Sequence, residues 1–372
     1  MNIIYDYIIV GAGISGCTFA SFLNKRFSDS SILLVEQGRR LGGRATTRKS
    51  RKNKILEFDH GLPSISFSKH ISHDIKTLIA PLINSKKLVD ISNDIFIINE
   101  FGEMNNLSNN NKIYRSMPFM INFCEEIINQ SINPKKISFL FQTLIKAIKY
   151  KKDLWEIEVN QSNFLRSKNL ILSSSLIAHP RCLKIFNINS LPLRDAFILG
   201  KDEIVDSVLS EIRKQNYIKR KVYIFYVSNL VLVRQFNYKY LQIYFSNLIR
   251  LDSHFERIIF QGQSDGSMII LLHCSYINNF LSNNNIEYII KSLRSIFVKY
   301  QILLDLFLEA KLIDQMDWRA SQPLNHFLPN ELQWSPVSKI GFCGDWFDSN
   351  SCEGIESAMN SSIRLAKLVN RE

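Results

Sequence analysis

The sequence lacks the cysteine patterns that mark metal-binding and disulfide-stabilised proteins. It has six cysteines and seven histidines in 372 residues, with no CxxC pair and no cluster at ligand-like spacing. This pattern disfavours a zinc site and a disulfide framework, and it favours a reducing compartment. We therefore expect no bound metal.

Long uninterrupted apolar segments and an N-terminal targeting segment are also missing. The longest apolar stretch, residues 286–308, contains Lys291, Arg294, Lys299 and Asp305. It therefore predicts an amphipathic helix and not a membrane span. The first buried strand is predicted to begin almost at the initiator methionine, which leaves no room for a signal peptide. We expect a soluble, cytoplasmic protein.

Positive charge, in contrast, is in excess. The chain has 46 Lys and Arg against 34 Asp and Glu, a formal net charge of +12. A nucleic-acid-binding protein would concentrate this charge in one patch, but the lysines are spread along the chain. Lysine, asparagine and isoleucine are abundant together, as AT-rich coding would produce. We expect no nucleic-acid partner. The hydrophobic content of 46% is that of an ordinary globular protein, and the length allows two domains.

The N-terminal segment has the pattern of a dinucleotide-binding βαβ unit. Residues 7–10 form a short apolar run that predicts a buried parallel strand, and residues 31–35 predict a second one. A helical pattern fills residues 13–27 between them. Strand, glycine-rich turn, helix and strand thus follow one another in about 30 residues, the size of such a unit.

The turn contains the sequence GxGxxG, formed by Gly11, Gly13 and Gly16. The first glycine permits the tight turn, the second lets the backbone approach a pyrophosphate, and the third lets helix and strand pack closely. Glu36 ends the second strand, where its carboxylate can accept hydrogen bonds from the adenosine ribose. Arg39 could serve a 2′-phosphate, but Glu36 would repel that group, so NADP is disfavoured. NAD and FAD remain open on these residues.

The middle of the chain predicts a different architecture. Residues 221–274 contain β-rich runs separated by short turns, at 222–227, 231–236, 241–251, 257–261 and 268–274. Consecutive strands without intervening helices predict an antiparallel sheet. The chain returns to a helix at its end, from Glu356 to about Val369.

Other segments resemble the flavin amine oxidase superfamily. Arg40 to Arg48 fits its RxGGRxxxR pattern, with Gly42 and Gly43 as the paired glycines. Residues 342–346 and 353–358 resemble its C-terminal Gly-Asp and Gly-x-Glu-Gly-Ala motifs. Shorter similarities lie at 58–61, 114–120, 170–180 and 318–320. The chain resembles a renalase-type member of this superfamily, although Ser357 and Ser362 replace glycines usual in the family.

The resemblance implies an α/β fold with a Rossmann-type FAD-binding domain and a second substrate domain, built on a mainly antiparallel sheet plus helices. The FAD-binding domain is discontinuous and comprises residues 1–65, 135–180 and 312–372. The substrate domain comprises residues 66–134 and 181–311. The similarity is thin between residues 181 and 311, so the substrate is the weakest inference.

The resemblance also implies FAD as the cofactor. Asp345 is expected to accept hydrogen bonds from ribityl hydroxyls, and the helix that Gly354 opens is expected to point its N-terminus at the pyrimidine edge of the flavin. The predicted cofactor-binding residues are Gly11, Gly13, Ser15, Gly16, Glu36, Gln37, Arg39, Gly42, Gly43, Arg44, Asp59, His60, Gly61, Gly344, Asp345, Gly354, Ile355 and Glu356.

The activity that the resemblance implies is that of an FAD-dependent oxidoreductase. A hydride would pass from a small reduced substrate, an NAD(P)H-type dihydropyridine or an isomer of it, to flavin and then to oxygen. Such a donor needs no general base, and we find no acid–base pair, so no catalytic residue is assigned. An amine oxidase, a polyene desaturase or isomerase, and a non-catalytic flavin-binding protein are the alternatives.

Overall fold

The computed structural model describes residues 3–50, 55–107, 111–160, 163–275, 286–347 and 354–370. Within these ranges the chain forms twenty β-strands, which are β1 (Ile4–Val10), β2 (Ile32–Val35), β3 (Arg48–Lys49), β4 (Glu57–Phe58), β5 (Ile65–Ser66), β6 (Leu88–Asp90), β7 (Ile95–Ile98), β8 (Met104–Asn106), β9 (Ile113–Ser116), β10 (Ile137–Leu140), β11 (Ala147–Lys151), β12 (Leu154–Asn160), β13 (Asn163–Leu172), β14 (Tyr217–Val227), β15 (Tyr240–Phe245), β16 (Phe255–Gly262), β17 (Met268–Ser275), β18 (Lys311–Pro323), β19 (Trp334–Ser335) and β20 (Ile340–Phe342). The same ranges contain eleven α-helices, which are α1 (Ile14–Arg26), α2 (His73–Asn84), α3 (Ile121–Asn129), α4 (Arg181–Phe186), α5 (Pro192–Asp195), α6 (Glu203–Ile212), α7 (Leu230–Phe236), α8 (Asn247–Ser253), α9 (Ile286–Ile296), α10 (Gln301–Glu309) and α11 (Ile355–Leu368).

The first sheet has the strand order β10-β2-β1-β13-β12-β11, with β20 beside β13 and β19 beside β20. Strands β10, β2, β1, β13 and β20 pair in parallel. Ile9 and Leu34 pack on one face with α1, α3 and α11, whereas Ile8 and Leu33 pack on the other face with α4 to α6. Because both faces are covered, residues 7–10 of β1 and the whole of β2 are continuously apolar and do not alternate.

The second sheet has the order β18-β14-β17-β16-β15-β7-β8. Its neighbouring strands are antiparallel, apart from the parallel pair β15 and β7. One face packs on α7, α9 and α10, and the other face packs on Leu56 and Phe58. The second sheet therefore lies directly against the segment that follows the N-terminal unit.

Two of the predicted strands in this region are wrong in whole or in part. Residues 231–236 belong to α7, and the run 241–251 leaves β15 and continues as α8. The side chain of Asn229 accepts a hydrogen bond from the Leu232 N–H and so caps α7. Only Leu232 and Phe236 of α7 are buried, and this spacing of four residues is helical.

The segment predicted as one helix at residues 286–308 is two helices, α9 and α10. The break follows Phe297, whose side chain is fully buried between them. The apolar pattern continues across the break, which is why the sequence alone predicts one helix. In the part of the chain that the structure describes, no helix has the length and apolar character needed to cross a membrane.

Two segments pack with a different sheet from the one expected from the predicted domain boundaries. Residues 312–323, placed with the cofactor domain, belong to β18 and pair along β14 in the second sheet. Residues 181–212, placed with the substrate domain, form α4 to α6, whose apolar side chains are buried in the core of the first sheet. Each segment follows the sheet that buries its apolar residues.

Candidate functional site

The N-terminus of α1 is the first part of the site. Helix α1 begins at the carboxyl end of β1, between β2 and β13, after the Gly11 turn. Gly13 caps α1 without a side-chain hydrogen bond, and the first turn has no acidic residue. The N–H groups of this turn, which includes the largely buried Ser15, can therefore receive an anion. A Cβ at Gly16 would overlap the carbonyl oxygen of Gly11, so only glycine fits at that position.

The paired glycines of the second motif lie against this helix. The Gly42 N–H donates to the Ala12 carbonyl at 2.9 Å. Gly42 and Gly43 have φ values of +105° and +53°, in the region that favours glycine. A Cβ at Gly43 would lie 3.2 Å from the Cα of Gly13. The two glycine motifs, about 30 residues apart in sequence, therefore meet backbone to backbone.

Glu36 connects the turn before α1 to the end of β2. Its carboxylate accepts from the N–H of Ala12 at 2.9 Å and from the N–H of Gly38 at 2.7 Å. Carboxylate oxygens have further lone pairs, so a ribose hydroxyl could still donate to Glu36. A small pocket beside it is lined by Gly11, Gln37 and the 143–145 and 174–177 segments.

The C-terminal motif forms a second pocket. Arg44 donates from Nη1 to Asp345 Oδ2 at 2.7 Å, so the loop after Gly43 reaches this motif. Asp345, Gly354 and Ser357 line a cavity of about 190 Å³ together with residues 322–324 of the second sheet and its following loop. The hydroxyl of Ser357 is buried and has no hydrogen-bond partner among the described residues. A polar ligand in this cavity would satisfy it.

Several predicted site residues contact protein groups instead of a pocket. The Glu356 carboxylate accepts from the N–H and hydroxyl of Ser68, at 2.7 and 2.8 Å. The Gly344 N–H donates to the Ser361 hydroxyl at 3.1 Å. Ile355 is partly buried at the start of α11, and Arg39 is exposed on the surface. These contacts hold the motif in place. The residues of the motif that line the cavity are Asp345, Gly354 and Ser357.

Asp59 is the centre of a buried polar cluster. Its carboxylate is fully buried and accepts from Thr47 at 2.7 Å, from Arg115 at 2.9 Å and from the Met120 N–H at 3.1 Å. Burial raises the pKa of Asp59, and the Arg115 guanidinium opposes that shift. The side chain of Gln261 exchanges two hydrogen bonds with the backbone of Asp59, at 3.0 and 3.2 Å. Gln261 therefore links the segment that contains Asp59 to the second sheet.

His60 lies between this segment and the second sheet. It is 3% exposed and stacks on Trp318, with ring centroids 5.4 Å apart. Burial lowers the pKa of His60 to about 4, and the neighbouring Arg48 acts in the same direction. A Cβ at the following Gly61 would overlap the Arg44 carbonyl oxygen and would lie 2.9 Å from Trp318. The glycine thus permits close packing of three segments.

A depressed histidine pKa makes stability depend on pH. The unfolded state takes up a proton below about 6.5, whereas folded His60 takes one up only near 4. We expect the free energy of unfolding to lose roughly 3 kcal/mol from His60 as the pH falls from 6.5 to 4. His60→Gln should flatten this part of the profile in urea denaturation, and substitution of the exposed His70 should not. Parallel profiles for wild type and His60→Gln would contradict the assignment.

Two polar residues of the second sheet escaped the sequence interpretation. Arg257 and His273 are cross-strand neighbours on β16 and β17. The Arg257 Nη2 lies 3.4 Å from the Gly61 carbonyl oxygen and 3.4 Å from His273 Nδ1. The sequence feature that could have identified them is an ionisable side chain within a mainly apolar predicted strand.

Comparisons with known proteins agree with this architecture. A family model described as an NAD(P)-binding Rossmann-like domain matches residues 9–80. A candidate protoporphyrinogen oxidase from Exiguobacterium sp. 255-15 is similar in structure, with a TM-score of 0.64, 11% identity and 99% of both chains covered. A variant of putrescine oxidase has a TM-score of 0.63, 11% identity and 99% coverage of both chains. A CLA-producing fatty acid isomerase from P. acnes has a TM-score of 0.61, 10% identity and 98% coverage of both chains.

These similarities show a shared fold. They confirm the predicted combination of a Rossmann-like dinucleotide-binding domain and a second, sheet-based domain. No curated protein matches the sequence significantly. At 10–11% identity, the activities of these similar proteins do not transfer to this chain, and its function must be inferred from its own site.

Proposed function

We propose that this protein is an FAD-dependent oxidoreductase of the flavin amine oxidase superfamily that acts on a small molecule. One observation carries the proposal: three distant segments meet at the carboxyl end of β1. Gly13 opens α1, Gly43 packs against it, and Arg44 reaches Asp345 of the C-terminal motif. An NAD site alone would require only the first of these segments.

The groups at the site fit FAD along its length. Glu36 and the pocket beside Gln37 suit the adenosine end. The N-terminus of α1, which has no side-chain cap, suits the pyrophosphate, and the guanidinium of Arg44, paired with Asp345, provides further N–H donors. The cavity at Asp345, with the unsatisfied hydroxyl of Ser357, suits the polar ribityl and flavin end. We propose that the first sheet with its helices is the cofactor domain and that the second sheet is the substrate domain.

Bound FAD supplies two-electron hydride chemistry, with oxygen as the final acceptor in an oxidase. The protein's own groups would then have four tasks. The N-terminus of α1 and Arg44 would hold the phosphates, and the N-terminus of α11 would stabilise negative charge on the flavin. The Asp59 cluster fixes the segment that contacts the second sheet, and the apolar residues around it exclude water.

The favoured substrate is a dihydropyridine of the NAD(P)H type or an isomer of it, as in the renalase branch. A dihydropyridine releases a hydride without prior loss of a proton, so the reaction needs no general base. This agrees with the state of His60, because burial lowers its pKa to about 4 and removes it as a base of ordinary strength.

The purified protein should absorb in the visible as a flavoprotein. Protein stripped of cofactor should regain this absorbance with FAD, and FMN should bind at least about tenfold more weakly because it lacks the adenosine that Glu36 and its pocket would contact. Anaerobic mixing with NADH, NADPH, their isomers and a panel of amines should bleach the flavin with a dihydropyridine. Bleaching by amines alone would favour the amine oxidase alternative. Bound flavin that no donor reduces would contradict the enzyme proposal, and failure to bind FAD would contradict the cofactor.

A further inference from the structure

The face of the second sheet that packs on the cofactor segment contains an arginine without a carboxylate partner. Arg257 is half-buried, and its Nε is buried with no hydrogen-bond partner. Its contacts with the Gly61 carbonyl and His273 are both 3.4 Å, close to the limit of a hydrogen bond. Among the described residues no carboxylate lies within ion-pair distance of it.

Two other arginines near this face are neutralised. Arg48 pairs with Asp314 at 2.5 Å, and Arg220 pairs with Glu256 at 2.5 Å. Arg257 therefore provides one surplus positive charge beside Gly61. Removing a charge from water without a partner is costly, so the fold would be expected to pair it unless a ligand does so.

Unsatisfied hydrogen-bonding groups accompany this charge. His273 is 1% exposed and its Nε2 has no partner, and His60 is 3% exposed and its Nδ1 has no partner in the described residues. Burial and the adjacent guanidinium of Arg257 lower the pKa of His273, with Arg220 and His60 contributing in the same direction. A neutral imidazole can present one N–H donor. The indole N–H of Trp318, which stacks on His60, is also unsatisfied.

We infer that Arg257, His273 and His60 bind the carboxylate group of a singly charged substrate. The inference rests on the proposed function, since it takes the cofactor segment at Gly61 as the reaction site. A carboxylate accepts several hydrogen bonds and matches the planar fork of a guanidinium. It also balances one positive charge, whereas a phosphate dianion would exceed the surplus that Arg257 provides. Within the proposed dihydropyridine class, the hydride donor is therefore a carboxylate-bearing molecule such as a dihydronicotinate, which should reduce the flavin faster than the carboxamides NADH and NADPH.

Benzoate and benzamide test this inference because they differ in charge and not in shape. We expect benzoate to bind the flavin-containing protein at least about tenfold more tightly than benzamide or inorganic phosphate, because a charge-assisted hydrogen bond is lost in the neutral analogue. Binding would be followed by the flavin spectrum, and by tryptophan fluorescence and thermal shift, which need no flavin. Arg257→Met should weaken benzoate binding at least about tenfold, and Arg257→Lys should weaken it less.

Arg166→Met is the matched control. Arg166, like Arg257, lies on a strand, but this strand is in the first sheet and Arg166 pairs with Glu156. It should bind benzoate as the wild type does. Equal affinity for benzoate and benzamide, tighter binding of phosphate, or unchanged benzoate affinity in Arg257→Met would overturn the inference. If Arg257→Met fails to fold, the wild-type comparison and Arg257→Lys still decide. A protein without flavin would contradict the proposed function, while the fluorescence titration would still test the carboxylate site.

Discussion

We expect Gly13→Ala to fold normally and to lose its FAD. Gly13 has φ −78° and ψ −173°, a conformation open to any residue, and its Cβ would lie 3.8 Å from the Cα of Gly43. The fold therefore has room for the methyl group. A phosphate bound at the N-terminus of α1 leaves no such room, because its close contact with the backbone at this position depends on glycine. Flavin absorbance per mole of protein should fall at least about tenfold.

Gly16→Ala should behave differently, and the contrast separates folding from binding. Its Cβ would overlap the Gly11 carbonyl oxygen, so backbone must move and stability should fall together with flavin content. Gly13→Ala should keep a thermal midpoint within about 2 °C of the wild-type protein stripped of FAD. If Gly13→Ala retains its flavin at wild-type occupancy, the pyrophosphate does not lie at this helix.

The N-terminal unit could be predicted because its signals are local. The apolar runs of β1 and β2, the glycine spacing and the acidic residue at 36 lie within about 30 residues, and each has a separate physical reason. Helix α7 could not be predicted in this way. Its sequence, Leu230 to Phe236, is rich in leucine and valine, which suits either a strand or a buried helix. Only the packing of Leu232 and Phe236 against the second sheet decides between them.

The roles of the acidic residues depend on distant partners. Asp59 is close in sequence to the glycine motifs, but its partners Arg115 and Met120 lie 56 and 61 residues away. Glu356 binds Ser68, which is 288 residues away. A motif gives the type of residue needed and not the atom it contacts, so both residues were predicted to face the cofactor. The polar face containing Arg257 could not be predicted either, since it forms only when β16 and β17 pair.

Asp59→Asn should destabilise the protein by about 3–5 kcal/mol, because it removes one partner of a buried ion pair. The Arg115 guanidinium would keep its contact with the Tyr240 ring, 4.9 Å away, but would lose its carboxylate, and its Nε already lacks a partner. The Thr47 hydroxyl and the Met120 N–H donate to the other oxygen, Oδ1, which the amide of asparagine keeps, so the loss falls on the Arg115 contact. The free energy of unfolding from urea denaturation at neutral pH measures this loss.

The matched control is Asp74→Asn, which breaks the exposed ion pair with Lys367 and should cost less than about 1 kcal/mol. A second variant isolates the charge: adding Arg115→Met to Asp59→Asn should recover part of the stability, because no unpaired charge remains buried. Because the Asp59 carboxylate ties the cofactor segment to Arg115 of β9, Asp59→Asn should also release flavin at a lower urea concentration than global unfolding. Equal losses for Asp59→Asn and Asp74→Asn would show that the buried cluster does not hold this segment in place.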